Sequence, residues 1–93
     1  MKPPIYDIGD KVFFALVPGG YEKVGPYPGI DPSKTYVFEG RVGGLRWEPA
    51  MEDWLYEVYN CLSTFWTWAE YIGFEQKDAT RAVAMASPKK VPL

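Results

Sequence analysis

Histidine is absent from the 93 residues, cysteine occurs once, and the formal net charge is only −2. Without histidine the chain lacks the side chain that most often serves as general base near neutral pH and as metal ligand. Ser–His–Asp triads are thereby excluded, and Cys61 has no imidazole to activate it. One thiol forms neither an intrachain disulfide nor a zinc cage, so Cys61 reads as a buried or near-turn small hydrophobe in a reducing compartment. Neither a cofactor nor a metal is expected.

Long apolar runs are missing too. No stretch approaches the length of a membrane span, and residues 1–7 lack the apolar core of a signal peptide, which gives an expectation of a cytoplasmic protein with no membrane partner. With ten basic residues against twelve acidic ones and a pI near 5.0, little points to a protein that neutralises many phosphates.

What is abundant is apolar and aromatic. Hydrophobic residues make up 47% of the chain and aromatics 17%, far from the composition of unfolded sequences. The length suits one domain spanning residues 1–93, with a core over about residues 6–86 and a frayed tail at residues 87–93.

The first strong element is residues 8–17, where Gly9-Asp10 turns into a β-branched and aromatic strand. Both of its alternating faces are apolar, Val12/Phe14/Leu16 and Phe13/Ala15/Val17, so the strand is either covered on both sides or contributes one face to a contact. Residues 18–34 hold four prolines and four glycines, a density that predicts a long loop without regular structure, displaying Tyr21 and Tyr27.

A second strand is predicted over residues 35–47, with Tyr36, Phe38, Gly40 and Val42 on one face, until Gly43-Gly44 marks a bulge or sharp bend. Leu45 and Trp47 resume the pattern beyond it. After an acidic turn, residues 54–59 form a third strand paired to the second, and the Thr–aromatic alternation of residues 64–68 a fourth. Glu70 suits a turn-holding role through accepted backbone hydrogen bonds. Ala79, Ala82, Val83 and Ala86 fall at helical spacing, predicting a short amphipathic helix over residues 77–86 with Asp78 at its start.

Gly9-Asp10-Lys11-Val12, Gly40-Arg41-Val42, Tyr56-Glu57-Val58 and Glu70-Tyr71-Ile72 followed by Phe74 together resemble the SH3-like small β-barrels. The resemblance implies a mostly β fold, about five short antiparallel strands closed into a barrel plus one C-terminal helix. It implies architecture and no particular activity. The opening Ile5-Tyr6-Asp7-Ile8 departs from that of peptide-binding SH3 domains, and the sole Trp-x-Trp, Trp66-Thr67-Trp68, stands in the wrong element for their Trp pair. Recognition of Pro-rich ligands is therefore not implied. A helix after the last strand is more similar to barrels appended to bacterial enzymes and regulators.

Sixteen aromatics exceed what so small a barrel interior holds, so several are expected at the surface, where such side chains serve interfaces. The reading is a non-enzymatic interaction module that forms homo-oligomers or binds a protein partner. Its candidate binding residues are Tyr21, Tyr27, Trp47, Trp66 and Trp68, with Arg41 and Arg46. The alternative is a nucleic-acid-binding barrel in which Arg41 and Arg46 contact phosphates while aromatics stack on bases, against which the net charge counts. A small-ligand or enzymatic site between subunits is a third class. No catalytic pair supports it, since the acidic run Glu48, Glu52, Asp53 and Glu57 reads as a solvated turn.

Overall fold

The computed structural model describes residues 1–24, 29–83 and 90–91. Six antiparallel strands form one sheet in the order β2-β5-β4-β3-β1-β6, followed by one helix. The strands are β1 (Lys11–Leu16), β2 (Tyr21–Val24), β3 (Tyr36–Glu48), β4 (Asp53–Tyr59), β5 (Thr64–Trp68) and β6 (Ile72–Gly73). A 3₁₀ turn (Ala69–Tyr71) precedes β6, and helix α1 is Gln76–Val83.

Strand β3 organises the sheet. Its first part, Tyr36 to Arg41, pairs with β1, and Arg41 to Glu48 pairs with β4, with a register shift between Val42 and Gly44. The bulge lies at the Gly43-Gly44 pair, where one extra residue returns Leu45 to the face used by Val42.

That face carries the main core, built from Val12, Phe14, Leu16, Val42, Tyr56, Val58, Phe65 and Ile72. The N-terminal segment closes one side of it. Lys2 pairs with the buried Asp53 at 3.1 Å, the Lys2 carbonyl accepts from Trp54 Nε1 at 2.7 Å, and the Ile5 amide donates to the Tyr56 hydroxyl at 2.8 Å. Tyr6 then enters the core, edge-on to Tyr56, and its hydroxyl donates to the Ile72 carbonyl at 2.9 Å. Burial pushes the Tyr6 and Tyr56 phenols above their ordinary pKa, because the phenolate would lose its hydration. Asp53 thus departs from the solvated turn expected of it.

The second apolar face of β1 is covered by α1. Ala15 and Val17 pack with Trp68, Tyr71, Ala79 and Ala82, and Phe13 joins them half-buried. Alanines at the contact let the helix sit close to the sheet. The helix start is capped reciprocally, since Asp78 Oδ2 accepts from the Glu75 amide at 3.1 Å while the Asp78 amide donates to the Glu75 carbonyl at 3.0 Å. Val83, expected on the buried stripe, is instead exposed, and Ala86 lies outside the described residues.

Two further expectations change, and a last strand is added. The stretch read as a loop without a regular element contains β2, whose four residues stand between breakers and gain strand geometry from pairing with β5. The Thr67 hydroxyl fixes its start by donating to the Gly20 carbonyl at 2.9 Å. The tail is not wholly frayed: Val91 is buried in the second core and its amide donates to the Gly19 carbonyl at 3.3 Å, because an apolar side chain finds cover there. Residues 70–74 contain a real last strand, paired to β1 at Phe13 and Phe14.

The turn from β3 to β4 places Glu52 at φ 50°, in the left-handed region that disfavours a residue with a Cβ. Glu52→Gly is expected to raise stability by about 0.5–1 kcal/mol, read as a higher urea midpoint at unchanged slope. A lower midpoint would show that the Glu52 side chain contributes more than its backbone conformation costs.

Candidate binding face

In a pleated sheet residues two apart share a face, and cross-strand partners stand side by side. On the side of β2, β5, β4 and β3 opposite the main core, Val24, Thr64, Tyr59 and Arg41 therefore form one row. Glu22, Trp66, Glu57 and Gly44 form the next, and Trp68, Leu55 and Arg46 the third. The third row runs under the second core, where Trp68 and Leu55 are fully buried. The first row opens to solvent, with Val24 43% and Tyr59 40% exposed.

Glycine shapes this surface. A Cβ at Gly43 would meet the Tyr59 ring at 3.0 Å, and one at Gly44 would meet Trp66 at 3.4 Å. The two rings thus lean over bare backbone. At the β4–β5 turn, Asn60 Oδ1 accepts from the Leu62 and Ser63 amides, and the Leu62 side chain is exposed. Cys61 is exposed in the same turn and so takes the near-turn position rather than a buried one.

The cations of the face are already engaged. The Arg46 guanidinium lies 4.9 Å from the centre of the Trp66 ring, and its Nη2 is 3.4 Å from Glu22 Oε2. Both partners of that pair are partly exposed, so the contact orders the side chains more than it stabilises the fold. Arg41 donates to the Gly9 carbonyl at 2.9 Å. With Glu22 and Glu57 standing between these arginines, the face presents mixed charge rather than a phosphate track.

Of the expected binding residues, the sheet brings Trp66, Arg41 and Arg46 together on this face. The others lie elsewhere. Trp68 is fully buried, since the helix and Val91 cover its row, so it is a core residue and not a surface anchor. Tyr21 is half-buried against the main core, edge-on to Phe65 at 5.8 Å, and burial raises its phenol pKa. Trp47 packs edge-on against Trp54 at 5.5 Å, also half-buried. Tyr27 lies outside the described residues.

Sequence reasoning passed over Tyr59, Val24, Glu22 and Glu57. The signal for two of them was present: with Trp54, Tyr56 and Val58 pointing inward, Glu57 and Tyr59 had to point out. Val24 and Glu22 gave no such signal, because their strand lies inside the Pro/Gly-rich stretch.

Among the described residues no group of three or more Asp, Glu or Cys side chains is placed to hold a metal ion. No helix among them is long and apolar enough to cross a membrane. No protein-family model matches the chain, and no curated protein or solved structure matches it either.

Proposed function

We propose that this protein is a non-enzymatic interaction module of the SH3-like type that associates with a second copy of itself through the outer face of β2, β5, β4 and β3. The observation that carries the reading is the row of Val24 and Tyr59, both exposed, together with Leu62 at 62% exposure and the half-buried Trp66. Exposed aromatic and aliphatic side chains of this kind are enriched in the core of an interface. Arg41 and Arg46 alternate with Glu22 and Glu57 around them, and a two-fold contact brings such opposite charges together from the two copies.

The finer fold reading has its own support. One strand, β3, serves β1 with its first half and β4 with its second, and a 3₁₀ turn leads into a short last strand beside β1. An SH3-like small barrel would account for that order and bend.

Light scattering coupled to size exclusion over a wide concentration range tests the function. The native chain is expected to run as a dimer or larger at high concentration. Tyr59→Glu, which puts a charge into the centre of the exposed row, is expected to weaken association at least about tenfold with little change in melting temperature. A native chain that stays monomeric to millimolar concentration would refute the reading.

A further inference from the structure

On the outer face of β2, β5, β4 and β3 the charged side chains are satisfied unequally. Arg46 holds Glu22 at 3.4 Å and lies over Trp66. Arg41 and Glu57 are left over. Among the described residues Arg41 forms no ion pair, and its side chain bonds only to the Gly9 carbonyl at 2.9 Å. A guanidinium has five N–H donors, so most of them remain available. Glu57, half-buried, accepts no hydrogen bond and forms no ion pair among those residues.

The topology explains why the two do not meet. Arg41 turns toward the residues before β1, on one side of β3, whereas Glu57 stands on β4 at the other side. Tyr59 is directly opposite Arg41, and Glu57 is directly opposite Gly44. These four positions are the corners of one rectangle on the face, with the unpaired charges on one diagonal and Tyr59 and Gly44 on the other. A Cβ at Gly43 would meet Glu57 Oε1 at 2.9 Å and the Tyr59 ring at 3.0 Å, so carboxylate and ring both lie low over bare backbone.

A closed contact between two copies is two-fold, and for facing sheets the axis runs between them and parallel to both. With the axis centred on this rectangle, its direction decides which groups meet. Along the strands, it sets Arg41 on the partner's Tyr59 and Glu57 on the partner's Gly44. Across the strands, it sets Arg41 on the partner's Gly44 and Glu57 on the partner's Tyr59. Either arrangement takes a carboxylate out of water with no cation beside it, which is costly. An axis square to the Tyr59–Gly44 diagonal sets like charge on like. Only the axis square to the charged diagonal sets Arg41 on the partner's Glu57 and, by symmetry, Glu57 on the partner's Arg41. Tyr59 then falls close to the axis, ring against ring.

We infer that the dimer proposed above is built in this last register, with Arg41 of each copy paired to the partner's Glu57 on either side of the Tyr59 rings. The inference rests on that reading of the face and adds which residues choose the partner. Apolar side chains supply the affinity, while the two charge pairs fix the register and select a second copy over other apolar surfaces.

Charge exchange tests the register, read as the dimer dissociation constant by sedimentation equilibrium, with circular dichroism to show that each variant is folded. Arg41→Glu and Glu57→Arg each set like charges together twice per dimer and are expected to weaken it about tenfold or more. An equimolar mixture of the two restores both pairs in the mixed dimer, as does the double variant in one chain. Each is expected to return to within about threefold of the native constant. Glu57→Gln, at a side chain with no bond elsewhere in the fold, is expected to weaken the native dimer about threefold or more, a measurement that does not need Arg41→Glu to fold. A native dimer that Tyr59→Glu breaks, but that Glu57→Gln and Glu57→Arg leave unchanged, would overturn the register and keep the face. So would folded single variants that weaken the dimer without rescue in the mixture or the double variant. A native chain that stays monomeric would remove face and register together.

Discussion

Trp68→Ala is expected to lose about 3–5 kcal/mol of stability, the cost of emptying a large aromatic site in a packed core. A 93-residue domain has in total roughly 5–14 kcal/mol to lose. The variant is therefore expected to be largely unfolded at 37 °C or to melt far below the native chain. The structural reason is that Trp68 ties three parts together, packing with Leu55 of β4, with Ala79 and Ala82 of α1, and with Val91 of the tail. Its neighbour on the same face behaves differently: Trp66 is half-buried under the Arg46 guanidinium, and Trp66→Ala is expected to cost about 1–2 kcal/mol while leaving a folded chain. Thermal melts of the two variants side by side check both statements. Equal melting temperatures would mean that the second core does not depend on Trp68.

The contrast between these two tryptophans marks where sequence reasoning stops. Trp66-Thr67-Trp68 places both rings on one face of a strand, which alternation alone shows. Which ring is covered depends on where the helix and the tail cross the sheet, and that is settled by contacts far apart in the chain. The same holds for β1. Its two apolar faces announced that each is either covered or used in a contact, and the bulge or bend at Gly43-Gly44 was equally legible because glycine pairs inside a strand have few other uses. What covers the face of Phe13, Ala15 and Val17 was not legible, since Ala79 and Ala82 are small and Val91 stands among residues that read as a tail.

Strand β2 was hidden for a different reason. Gly19, Gly20, Pro26 and Pro28 dominate local propensity, yet the four residues Tyr21 to Val24 need only a neighbour with free backbone groups, and β5 supplies one. The sixteen aromatics follow the same logic. A helix that builds a second apolar layer uses side chains that a single barrel core would have left outside, and among the described residues only Tyr59 and Phe74 of that set are largely exposed. Tyr59 stands on the outer sheet face and Phe74 follows β6 against Tyr6, so the exposed aromatics are not gathered in one patch.

Gly40→Ala is the second substitution with a large expected effect. Gly40 stands opposite Val12 of β1, next to the residue at which β3 passes from pairing with β1 to pairing with β4. A Cβ added there would overlap the carbonyl oxygen of Tyr59 and come within 2.9 Å of the Phe14 ring. The Tyr59 carbonyl is backbone at the end of β4, so relief requires the two strands to separate where the sheet bends. Neither rotation of a side chain nor a small shift of the ring removes the overlap. Overpacking of this kind costs about 1–3 kcal/mol when side chains can yield and more when backbone must move, so the expectation for Gly40→Ala is about 3 kcal/mol or more. Gly9 provides the comparison, since an added Cβ there meets nothing within 4 Å and the cost is confined to its φ of 97°. Urea denaturation is expected to rank Gly40→Ala well below Gly9→Ala. If the order is reversed, β4 does not lie against β3 at this point as tightly as the bend requires, and the contact between the two halves of the sheet is looser than the one that brings Tyr59 beside Gly43.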